Sequence, residues 1–271
     1  MDTIKVLYIS QEITPYLPES EVATIARYLP QSIQEKGREI RTFMPRFGAV
    51  NERRNQLHEV IRLSGMNLII DDIDHPLIIK VASIQSARMQ VYFIDNDDFF
   101  HRKATVVDEN GDEFDDNDDR SIFFVRGVLE TVKKLRWTPD VIHCHGWMTA
   151  LTPIYIKKAF CTDPFFKNSK IVYSVYGDDF KKPFPSNFAQ KLKLEGISDD
   201  DVKNILNKEV SFNDLTKFAL QYSDGAVIAT DSVNDDLKNF ISNSGKLYLP
   251  TPDKENYSDA YNDFYEKVVN Q

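Results

Sequence analysis

Cysteine is almost missing from this chain: Cys144 and Cys161 are the only two in 271 residues, spaced for neither a disulfide framework nor a Cys-x-x-Cys zinc or redox motif. Both are expected to be buried thiols. Glycine is scarce at 10 residues, and no G-x-G-x-x-G or Walker-type loop follows the first apolar run, residues 4–10. That disfavours an ordinary nucleotide-binding Rossmann domain. Long apolar runs are lacking too, since residues 1–10 are too short for a signal-peptide core with its cleavage site and no segment approaches a membrane span. A cytoplasmic location is expected. Positive charge is the last deficit: 33 Lys and Arg against 42 Asp and Glu leave a net charge of −9, which argues against nucleic acid or an anionic membrane as partner. The most acidic stretch, residues 108–119, lacks the ligand spacing of a calcium loop, so no metal and no cofactor is expected.

What the chain does have is 42% apolar and 12% aromatic residues, enough for a sizeable core. Residues 4–10 fit a parallel strand buried on both faces. Ser20 can cap a helix over 21–36, with Val22, Ile25, Ala26, Leu29 and Ile33 on one face, Pro30 as a kink and Gly37 as the stop. A strand over 39–45 completes a βαβ unit. Segments 57–63, 66–70, 77–84 and 89–94 have strand character; the last is expected in the central sheet and the others in a small meander. His75 and His101 fall at turns and are expected to be solvated or locally hydrogen-bonded. Asp116 to Asp119 would open a helix whose apolar face is Ile122, Val125, Leu129, Val132 and Leu135.

Residues 138–158 organise the remainder. A buried strand over 140–144 runs into a turn at Gly146, after which Trp147, Leu151, Ile154, Tyr155 and Ala159 recur at helical spacing, with Pro153 discordant. Loops at the carboxyl ends of parallel strands line the crevice of an open α/β sheet, so His143, His145 and Trp147 stand where a site would be. Strands at 170–176, 226–229 and 246–249, with helices at 187–195, 198–208, 213–221 and 231–241, continue the alternation. The fold class is α/β, a Rossmann-like doubly wound parallel sheet over residues 1–250. Residues 251–271 would be a linker and a helix docking back through Tyr257, Tyr261, Phe264, Tyr265 and Val268.

Several of these motifs resemble those of bacterial glycogen synthases and plant starch synthases, retaining glycosyltransferases built as two Rossmann-like domains facing a cleft, the GT-B arrangement. His143, His145 and Trp147 match the family's His-Ala-His-Asp-Trp-His segment, with Gly146 in place of its Asp. Asp116-Asn117-Asp118-Asp119-Arg120, followed by Phe123, Phe124, Arg126, Leu129 and Glu130, is similar to its Asp-Asn-x-x-Arg-Phe-x-Phe-Phe-x-Arg-Ala-x-Leu-Glu. Ser10, Gln11, Glu12, Pro15 and Pro45 keep the outline of its opening, and Lys217 matches a lysine before its Tyr-Ala-Asp. The resemblance implies His143, His145, Trp147, Tyr176, Asn117, Arg120 and Lys217 as candidate sugar-binding residues.

The departures are as informative. Where the family has a Lys-Thr-Gly-Gly-Leu donor loop, this chain reads Pro18-Glu19-Ser20-Glu21-Val22, and its Val-His-Asn strand end is Tyr176-Gly177 here. Glycines and a lysine at a helix N-terminus cradle a pyrophosphate, whereas carboxylates repel it. The second, donor-binding domain is expected to be lacking, since residues after 250 leave room only for a linker and one helix. A catalytically silent relative acting in α-glucan metabolism is the first expectation, with an α-glucan or maltooligosaccharide as ligand. The alternatives are the acceptor-side half of a split glucosyltransferase, completed by a donor-domain chain or working with a full-length synthase, and a sugar-binding module unrelated to synthesis.

Overall fold

The computed structural model describes residues 3–253 and 255–271; Met1, Asp2 and Lys254, the last within the expected linker 250–256, lie outside them. Strand β1 (Lys5–Ser10) leads into helix α1 (Glu21–Glu35), capped by the Ser20 side chain, and back to β2 (Glu39–Pro45), which pairs parallel to β1. Next come β3 (His58–Glu59), β4 (Met66–Ile70), the long β5 (Ile73–Ile84) and β6 (Met89–Asp95). A short α2 (Asp97–Phe100) precedes α3 (Asn117–Lys134), which feeds β7 (Val141–His145). After the turn α4 (Thr152–Ile154) the chain alternates through β8 (Lys170–Val175), the single turns α5 (Phe188–Lys191) and α6 (Asp199–Val202), α7 (Phe212–Tyr222) and β9 (Gly225–Ile228). It closes with α8 (Asp235–Asn243), β10 (Leu247–Leu249) and α9 (Tyr257–Val269).

The sheet order is β10-β9-β8-β7-β1-β2-β6-β5-β3, with β4 paired to β5. All pairings from β10 to β6 are parallel; β5 and β3 extend the edge antiparallel. Strand order reverses between β1 and β7, and a crevice opens outside the carboxyl ends of strands at such a point. One sheet face, through Val6, Tyr8, Val141, Val172 and Val227, packs on Leu29 and Ile33 of α1 and on Tyr261, Phe264, Tyr265 and Val268 of α9. The other face, through Leu7, Ile9, Ile142, Ile171 and Ala226, packs on α3, α7 and α8. Both faces are thus covered, as the near-continuous apolar runs of the parallel strands require. Among the described residues no helix is long and apolar enough to cross a membrane.

Several sequence expectations need correction. The expected strand over 57–63 shrinks to His58–Glu59, because 60–64 closes into turns. The helix after Gly146 is broken: a 3₁₀ turn (Trp147–Thr149) and the short α4 precede a π-helical stretch (Tyr155–Ala159), with Phe160 N–H reaching back five residues to Tyr155 at 2.8 Å. Pro153 has no N–H to continue a regular ladder, so the helix effectively begins there. The helices expected over 187–195 and 198–208 reduce to α5 and α6. Cys144 is buried, its thiol pushed up to about 12 by desolvation, but Cys161 is exposed, lying beyond the helical turn where the periodic pattern has ended.

Candidate functional site

The β7 carboxyl end is built by a glycine. Gly146 has φ 86°, and a Cβ there would come within 2.7 Å of the Gln11 Cβ. Because the position is bare, Gln11 closes over it, its N–H donating to the His145 carbonyl at 2.9 Å and its Oε1 accepting from Met148 N–H at 3.1 Å. The adjoining histidines do not face solvent. His143 and His145 are 0% exposed and their rings lie 3.9 Å apart. His143 Nδ1 lies 2.6 Å from Tyr265 Oη of α9 and Nε2 lies 2.7 Å from Ser174 Oγ, so one nitrogen donates and the other accepts. His145 Nδ1 bonds Tyr176 Oη at 2.6 Å, while its Nε2 is buried without a partner. Burial holds both imidazoles neutral, His145 down at about 3 and His143 well below the usual range, where desolvation is joined by His145.

Four of the expected sugar-binding residues therefore cluster, but as a sealed layer. Tyr176 is 1% exposed and Trp147 2%, the latter packed edge-on to Phe180 and Phe184 at 5.2 and 5.7 Å. The two histidines are internal, because α9 covers the sheet face they occupy. Asn117 and Arg120 are buried likewise. Arg120 is fully buried, donating to the Phe99 carbonyl at 2.9 Å and to Asn117 Oδ1 at 2.7 Å, with Phe47, Phe100 and Phe114 around its guanidinium. Desolvation, with Arg102 adding, brings it down to about 9. Asn117 gives its amide to the Val106 carbonyl at 2.8 Å. The motif thus bolts the loop over 99–107 to α3. Lys217 pairs with Asp236 of α8 at 2.7 Å and lines neither pocket described next.

Above the sealed layer, at the carboxyl ends of β1, β7 and β8, lies a pocket of about 360 Å³ whose walls include Trp147, Tyr176, Glu12, Glu21, Glu113, Asp178 and Asp179. It shares Ser20 and Glu21 with a second pocket of about 560 Å³, bounded by Glu19, Asp231 and the α9 residues Tyr257 and Tyr261. No lysine or arginine lines either one among the described residues. The residues around the α1 N-terminus explain part of this. Ser20 accepts from Ala23 N–H at 3.0 Å and donates to Glu12 Oε2 at 2.7 Å, and Glu21 accepts from Ser232 Oγ at 3.0 Å. The α1 N-terminus is answered by protein groups, with Pro18 and Glu19 exposed beside it.

Asp178 was missed by the sequence reading, which stopped at Gly177. Its Oδ2 is enclosed with no partner, and burial raises the carboxyl to about 7, with Glu12 and Asp179 adding repulsion. An acidic residue two places past an apolar strand was the available signal. The pocket offers hydrogen-bond acceptors at Asp178, Glu12 and Glu21 above the buried Trp147 and Tyr176, an arrangement suited to hydroxyl donors and hostile to phosphate.

The comparisons with known proteins agree with this architecture. The chain is 34% identical over 242 residues to a glycogen synthase of Pelodictyon phaeoclathratiforme, covering 87% of this chain and 48% of that protein. It is 37% identical over 195 residues to a glycogen synthase of Chlorobium limicola, covering 72% of this chain and 40% of the relative. It thus spans about half the length of the curated relatives it matches. The catalytic domain of starch synthase IV from Arabidopsis thaliana, solved bound to ADP and acarbose, superposes with a TM-score of 0.73 at 17% identity, covering 92% of this chain and 51% of that one. The fold is that of a GT-B glycosyltransferase half. Residues 5–241 match the family model for the starch synthase catalytic domain, and the chain belongs to that family.

Proposed function

We propose that this chain is a glycogen or starch synthase-type acceptor-side domain that by itself does not transfer glucose, and that serves α-glucan metabolism by holding a neutral sugar in the crevice above Trp147 and Tyr176. The observation that carries this reading is the charge of the crevice: seven carboxylates, Glu12, Glu19, Glu21, Glu113, Asp178, Asp179 and Asp231, line its two pockets without a lysine or arginine among the described residues. A carboxylate about 4 Å from a phosphate repels it by roughly 4 kcal/mol at an effective dielectric of 20, so a nucleotide diphosphate is opposed. Transfer from a sugar nucleotide needs the reverse, positive groups where charge develops on the leaving diphosphate. Sugar hydroxyls, by contrast, donate well to carboxylates. The α-glucan ligand is also in keeping with the relatives' name, glycogen synthase.

The test is a glycosyl-transfer assay with ADP-glucose and UDP-glucose on glycogen, alongside calorimetry with both nucleotide sugars and with maltooligosaccharides. Maltooligosaccharide binding without nucleotide-sugar binding or turnover is the expected result. Robust turnover abolished by Asp178→Asn would sink the reading. A second reading, an acceptor half whose donor-binding part is supplied from outside residues 1–271 or which works with a full-length synthase, is favoured by the 34 to 37% identity to glycogen synthases. Transfer activity that emerges only on adding such a partner would select it.

A further inference from the structure

At the opposite end of the sheet, where β1, β2 and β6 begin, an open cavity of about 760 Å³ is lined by Arg38, Arg41 and Arg88 together with Gln34, Glu39 and Gln90. In a chain of net charge −9, three guanidiniums against one carboxylate is a local reversal of sign. Glu39 Oε1 accepts from Trp137 Nε1 at 2.6 Å. Arg38 is committed to α9 through Asn262 and Glu266. Arg41 and Arg88 are different. The arginine ion pairs among the described residues are those of Arg38, Arg46 and Arg102.

Arg41 is held as if for use. Its guanidinium lies 5.5 Å over the Trp137 ring and gives one N–H to Tyr92 Oη at 3.2 Å, while its buried Nε has no acceptor. An unmatched buried donor on a charged group is costly, and Arg41 is one of the residues lining the cavity. Arg88 sits at the β5–β6 turn with φ 50°, left-handed backbone that glycine adopts more easily. Arg88 lines the same cavity as Arg41, Gln34 and Gln90.

We infer that this cavity binds a small phosphorylated compound of sugar size. Arg41 and Arg88 take the phosphate through fork-shaped donors, and Gln34 and Gln90 hydrogen-bond the hydroxyls. The volume lies in the range of small-molecule sites. The site is remote from the acidic crevice, so it stands or falls independently of the sugar-binding reading there.

Calorimetry of the full chain at low salt, with inorganic phosphate, a hexose monophosphate and the unphosphorylated hexose, tests it. The hexose monophosphate should bind more tightly than phosphate, and the free hexose not measurably. Arg41→Met and Arg88→Gly should each weaken binding about tenfold or more. Arg88→Gly separates binding from folding, since glycine suits that backbone and its melting temperature should hold or rise. No binding by the wild-type chain, or unchanged affinity in Arg88→Gly, overturns the proposal. Phosphate binding with no gain from the hexose overturns the sugar-sized ligand.

Discussion

His143, His145 and Asp178 pull stability in opposite directions with pH. Both histidines have folded pKa values below the unfolded value, so the unfolded chain takes their protons first and stability is lost as pH falls below about 6.5. Asp178, raised to about 7, does the reverse: the folded chain takes its proton between pH 7 and the ordinary Asp range, which offsets part of that loss. Near pH 5.5 these three groups leave the unfolded state about one proton richer, or about 1.4 kcal/mol per pH unit; in Asp178→Asn the difference approaches two protons and the slope about doubles. Denaturant melts of both proteins between pH 5 and 6 check this, and equal slopes would show that Asp178 does not titrate there. The hydroxyl of Tyr265 makes a separate prediction. Tyr265→Phe strips a partner from buried His143 and should cost about 1 to 3 kcal/mol. A loss under a few tenths in urea unfolding would mean the bond contributes little.

Helix α9 matters because it decides what the histidines see. It packs Tyr261, Phe264, Tyr265 and Val268 onto the sheet face beside α1, and Gly225 is bare where Phe264 and Val268 approach, at 3.0 and 3.1 Å from a would-be Cβ. Four buried side chains at about 1.5 to 3 kcal/mol each sum to as much as a whole domain's net stability, even as an upper bound. Deleting residues 256–271 should therefore leave a chain that associates or fails to melt cooperatively, and Phe264→Ala alone should cost about 3 to 5 kcal/mol. Light scattering and thermal denaturation decide; a monomeric truncation with unchanged melting would reduce α9 to a tail. The apolar spacing of this helix was legible in the sequence, as were α1 and α3, because their stripes repeat over three or more turns. The segment after Gly146 was not: its apolar residues recur at helical spacing, and that spacing alone could not distinguish a regular helix from the 3₁₀, α and π turns found.

The two ends of the sheet differ in charge, with carboxylates lining the pockets at the carboxyl ends of the parallel strands and three arginines lining the cavity at their amino ends. If repulsion is what keeps nucleotides from the crevice, removing negative charge should admit them. Combining Glu12→Gln, Glu21→Gln and Asp178→Asn should tighten ADP binding at low salt by about tenfold or more, an effect that fades as salt shortens the screening length. Calorimetry at two ionic strengths reads this directly. ADP binding that remains undetectable would assign its exclusion to shape instead of charge.

By itself the sequence determined the alternation of strands and helices, the parallel sheet and the family, because short apolar runs, helical stripes and spaced motifs are local in the chain. It also placed two carboxylates, Glu19 and Glu21, at the start of the first helix. Only the tertiary structure decided which motif residues are enclosed and which line a cavity. His143, His145, Asn117 and Arg120 are polar and keep family spacing, yet α9 and the aromatic packing around α3 enclose them. Asp178 and Arg41 carry no motif, yet the fold sets each on the wall of a cavity with an atom left unpaired. Spacing along a strand fixes which face a side chain takes, whereas burial depends on what distant segments lay over that face, and no local pattern encodes that.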